Sequence, residues 1–76
     1  MSGDFKELLE QMIDMQKKKL LSCAERFVPH ITEEDILQPN DFPELEMQPY
    51  FRHEEGLLEG LLSAMAALKA HTRQNP

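Results

Sequence analysis

The stretch 56–70, GLLEGLLSAMAALKA, constrains the chain more than any other, because as a helix it offers two sides that can be kept from water. At about 100° per residue, Leu57, Leu58, Leu61, Leu62, Met65 and Leu68 gather on one face. Gly56, Gly60, Ser63, Ala67 and Ala70 run along the opposite side, where a second backbone can come close. A glycine inside a helix costs about 1 kcal/mol relative to alanine, and a close helix contact is the simplest gain that offsets it. The leucine face is therefore expected to form a core with a first helix. The small-residue side is expected to meet a second copy or a partner helix.

That first helix spans about residues 4–28. Phe5, Leu8, Leu9, Met12, Ile13, Leu20, Cys23 and Phe27 recur at three- and four-residue intervals, with charges on the other side. Ser2 or Asp4 is placed to cap its start, and Pro29 ends it. The series Glu10–Asp14–Lys18 is spaced for support along the exposed face. Gln16 interrupts the apolar stripe; it is read as a partly exposed amide at the edge of a short core, in preference to a register-fixing contact between helices. Lys17, Lys18 and Lys19 point in three directions from a helix and lack interleaved aromatics, so they read as a solvated face with one stem lying over the core.

The second helix spans about residues 49–72, with Pro49 in the first helical position and Tyr50 and Phe51 opening its apolar face. Residues 73–76 lack periodicity and are expected to fray. Helices of this size, about 37 and 36 Å long, match as a pair, while the 20 residues between them permit either direction.

The connection, residues 29–48, carries signals of internal order. Thr32 with Asp35 has the spacing of a capping box, opening a short turn through Leu37 that Pro39 closes. Asp41 with Glu44 repeats the arrangement around Pro43. Ile31, Ile36, Leu37, Phe42, Leu45 and Met47 are too many apolar side chains for a passive linker, and they are expected to fold back over the helices because a short chain needs the area. The other reading is a docking segment that orders on a basic partner.

The net charge of −6 sits in this connection. Acids and bases balance in residues 1–28 and in 51–76, whereas Glu33, Glu34, Asp35, Asp41, Glu44 and Glu46 have no lysine or arginine among them. A surface of that sign disfavours binding to phosphate backbones, so nucleic acid is not an expected partner. No run of 18 apolar residues is present, and the charged start MSGDFKELLEQ has neither a signal-peptide pattern nor the glycine at position 2 that myristoylation needs. With Cys23 as the single cysteine, the expectation is a cytoplasmic protein without an internal disulfide.

Chemistry is hard to place. His53 and Glu54, with Glu55, His30 and Glu33 or Glu34, assemble into an oxygen-and-imidazole metal set only on paper, because no Glu-x-x-His pair or other ligand spacing requires it. Glu54 lies on the apolar face, and in the first turn of the helix, where the dipole favours anions. Cys23 faces the apolar stripe as a small hydrophobe, and Ser63 has no histidine nearby in sequence. No cofactor, metal or catalytic residue is expected.

The expected fold is all-α: one small domain over residues 1–76, a helical hairpin joined by an ordered acidic loop with short helical turns, assembling as a four-helix-bundle-like homodimer. The expected function is a small non-catalytic protein–protein interaction module, an adaptor, accessory subunit or chaperone-like protein. Gly56, Gly60, Ser63 and Ala67 supply helix contact, and Glu33, Glu34, Asp35 and Phe42 supply contact through the loop. Two alternatives belong to other classes. One is a ligand- or metal-binding protein or enzyme with a pocket between helices and loop near Glu54 and His53. The other is an acidic mimic of nucleic acid that blocks a basic protein.

Overall fold

A computed structural model describes residues 2–36 and 42–74. Among these the regular structure is helical: α1 (Ser2–Phe27), α2 (Glu33–Ile36), α3 (Pro43–Glu46) and α4 (Pro49–Gln74). The two long helices are 26 residues each, so each is about 39 Å long at 1.5 Å per residue. Arg26 in the last turn of α1 shares a groove with Tyr50 in the first turn of α4. Farther along, Gln16 meets Glu54, and the pair therefore runs antiparallel.

Local chemistry explains the element ends. Pro29 cannot follow a helical Val28 without a clash, and α1 stops at Phe27. The Val28 carbonyl then accepts from the Ile31 N–H at 3.3 Å, with Pro29 between them and His30 at φ 71°. That is the pattern of a type II turn, whose third position favours glycine because L side chains crowd the backbone at positive φ. The expected capping box forms reciprocally: the Asp35 N–H donates to Thr32 Oγ1 at 3.2 Å, and the Thr32 N–H donates to Asp35 Oδ2 at 3.0 Å. Leu37, Pro39 and Asp41 lie outside the described residues. Helix α3 has Pro43 in its first turn and Phe42 at the N-cap, without a side-chain cap. At the start of α4, Gln48 Oε1 accepts from the Tyr50 N–H and the Gln48 carbonyl from the Arg52 N–H, so a residue not counted as a cap fills that place. Helix α4 continues through Arg73 and Gln74, two residues expected to fray.

The connection folds back. Ile31, Ile36 and Leu45 are buried in one core with Leu9, Ile13, Leu20, Ala24, Phe51, Leu58 and Met65, and Phe42 packs against it. Met47, expected with them, is exposed instead. Helix α2 packs on α1 while α3 packs on both long helices, and Ile36, Glu33 and Glu34 line a cavity on one side of the hairpin with Lys17, Leu20 and Leu58. The stem of Lys17 thus lies by the core, as expected of one of the three lysines.

Several expected core residues are corrected. Phe5, Leu8 and Met12 are 62, 52 and 42% exposed, and Leu57 and Leu62 are 46 and 44% exposed. Leu57 lies on the side of α4 turned away from α2. Leu62 follows the buried Leu58 by one turn but is itself exposed. A two-helix pair buries only a narrow strip of each helix unless a third segment widens it. The support expected from Asp14 and Lys18 is also missing, since no ion pair joins them.

Candidate functional site

At the middle of the hairpin, Gln16 Nε2 donates to the Glu54 main-chain carbonyl at 3.0 Å and also to Glu54 Oε2. Gln16 is only 7% exposed. The reading of it as a partly exposed amide is therefore wrong: it is a polar contact between helices. Satisfying the amide fixes both register and rotation, because neither helix can slide without leaving a buried donor unpaired. Glu54 is half-buried in the second turn of α4, with Pro49 at the start of the helix, so its environment is set by Gln16 and not by the helix N-terminus.

Beside this contact, on the broad side opposite α2, a groove of about 400 Å³ is lined by Lys18, Lys19, Ser22, Cys23, Arg26, Tyr50, His53 and Glu54. Burial raises the Cys23 thiol above its usual range; the negative charge of Glu54 raises it further, and Arg26 opposes both. The thiol is therefore protonated at neutral pH and a poor nucleophile. The sequence pointed to His53 and Glu54 here, but not to the lysines, Arg26 or Tyr50. Their common side of the hairpin becomes visible only when the two helices are set together. No three His, Cys, Asp or Glu residues converge as a metal set among the described residues.

The other sequence-derived positions fall elsewhere. Gly56, Gly60, Ser63 and Ala67 are exposed, and a Cβ added at either glycine would meet no atom within 4 Å. Within the chain, close packing does not account for these glycines. Glu33 and Glu34 are exposed, whereas the Asp35 carboxylate accepts from the Thr32 N–H and Phe42 packs against the core.

The large exposed apolar side chains lie on a different surface. Phe5, Leu8, Met12 and Met15 follow one another along α1, on the side that continues through Lys19 into the groove. Leu57 and Tyr50 of α4 are exposed on this same broad side. Met15 was missed in sequence, although its spacing from Leu8 and Met12 was a legible signal.

The chain matches no protein-family model, and no curated protein or solved structure shows significant similarity to it. No helix among the described residues is long and apolar enough to cross a membrane.

Proposed function

We propose that the chain is a small non-catalytic protein–protein interaction module that works through a helix face. The observation that carries this reading is the row Phe5, Leu8, Met12 and Met15, each 42–62% exposed on a rigid helical scaffold. Clustered apolar surface of this kind mostly marks contact with another macromolecule, unlike single apolar residues scattered over a surface. The protonated thiol of Cys23 and the Gln16 amide held by Glu54 suit structural roles better than catalytic ones. A single cysteine accords with a reducing, cytoplasmic setting.

Site-specific photo-crosslinking in cells tests the reading. A benzophenone side chain at Leu8 is expected to give discrete protein adducts, the chain itself included, while the same group at Gly56 gives none. Equal or absent adducts at the two positions overturn it.

A second reading draws on the groove: with Lys18, Lys19 and Arg26 at its rim, it would favour an anionic small ligand over the metal considered from sequence. A melting shift produced by inorganic phosphate or a carboxylate, and lost in Arg26→Ala, would favour it.

A further inference from the structure

Five residues of α1, Asp4, Leu8, Met12, Met15 and Lys19, recur at intervals of four, four, three and four. At 100° per residue they fall within a sector of about 80°, on the broad side of the hairpin that α2 leaves bare. The row has a centre between residues 11 and 12: Asp4 and Lys19, of opposite charge, lie equally far from it, as do Leu8 and Met15, and Met12 lies beside it. Neither Asp4 nor Lys19 has an ion-pair partner among the described residues.

We infer that a second copy of this chain covers this face, related by a two-fold axis that passes between Gln11 and Met12. The inference rests on the interaction reading above and names its partner. In this antiparallel arrangement Asp4 stands opposite Lys19 of the second copy, Leu8 opposite Met15, and Met12 beside the axis. Parallel pairing of the same helices would set Asp4 against Asp4 and Lys19 against Lys19, so charge selects the antiparallel form. A two-fold contact is the geometry in which one surface is its own complement.

About that axis the two α1 helices overlap over residues 2–21, about 30 Å of helix. A strip of that length and as wide as the hairpin, 19 Å, comes to roughly 600 Å² per copy, at the small end of specific interfaces and in keeping with a dimer that forms between micromolar and millimolar concentration. Leu57 on α4 borders the same side and enters the contact, whereas Gly56, directed away from α1, does not. A chain of this length forms a thin core, and self-association is one of the usual supplements. The product is a four-helix bundle, reached through the large apolar side chains of α1 in place of the small-residue row of α4.

Sedimentation velocity on the full chain, from micromolar to millimolar concentration, tests the inference. The wild type is expected to dimerise, and Leu8→Glu, at an exposed position, to weaken dimerisation on the order of 30-fold or more while leaving helicity unchanged. Asp4→Lys and Lys19→Asp each weaken it about fivefold, and the two together restore it. Gly56→Leu leaves it unchanged. A wild type that stays monomeric, a dimer indifferent to Leu8→Glu, or a double charge swap weaker than either single overturns the inference. If Leu8 still gives adducts with other proteins while the purified chain is monomeric, the second copy is refuted and the interaction reading stands. If neither adducts nor dimer is found, both fall.

Discussion

Phe51 and Phe5 each stand in the first turn of a 26-residue helix, yet Phe51 is fully buried and Phe5 is 62% exposed. The difference is one of cover. Phe51 belongs to the loop end of the hairpin, where Ile31, Ile36 and Leu45 fold back and join Leu20, Ala24 and Leu58 in one core. Phe5 belongs to the other end, where the described residues leave most of its side chain in water. The same chemistry that makes one end a stable core leaves the other with apolar surface to spare. Enclosed core and exposed apolar surface thus lie toward opposite ends of one hairpin, with the Gln16–Glu54 contact between them.

The strongest test of that division exchanges the same residue at each end. Phe51→Ala is expected to cost about 3–5 kcal/mol, since it empties a fully enclosed site. Such a loss is comparable to the whole stability expected of a chain this short, so the variant should be largely unfolded. Phe5→Ala should stay within about 0.5 kcal/mol when measured below the dimerisation range. Urea denaturation followed by circular dichroism reads both, and equal losses would show that the two ends do not differ.

A smaller effect is expected at the boundary. Gln16→Ala removes the donor from a half-buried carboxylate and should cost about 1.5 kcal/mol. A double-mutant cycle with Glu54→Ala should return a coupling of at least about 0.5 kcal/mol. Zero coupling would mean that the amide only fills space and that register is set elsewhere.

The smallest effect sharpens the account of the loop end. His30 sits at φ 71° in the turn that sends the connection back over the helices. His30→Gly relieves a left-handed backbone that costs an L residue about 1–2 kcal/mol, less the entropy a glycine loses on folding. A net gain of about 0.5 kcal/mol, seen as slower amide exchange at Ile31, is expected. A loss would show that the histidine side chain holds the turn.

Much of this was legible in the residues alone. Pro29 and Pro49 bracket the connection because proline constrains its own backbone and that of the residue before it, wherever the chain goes. Thr32 and Asp35 form their box because both partners lie within one turn. The apolar residues of the connection announced a fold-back because a short chain cannot leave them all in water. The partnership of Gln16 with Glu54 was not legible, since it joins residues 38 apart and depends on the relative rotation of two helices.

Local sterics and a repeat of 3.6 residues suffice for the two long helices, their proline-set ends and the direction in which each side chain leaves its own axis. Which of those directions lead into a core was settled by the packing of segments distant in the chain. Leu58 and Leu62 have similar local patterns one turn apart, but the first is buried and the second is 44% exposed. Burial depends on what another segment of the chain covers, and no local period carries that information.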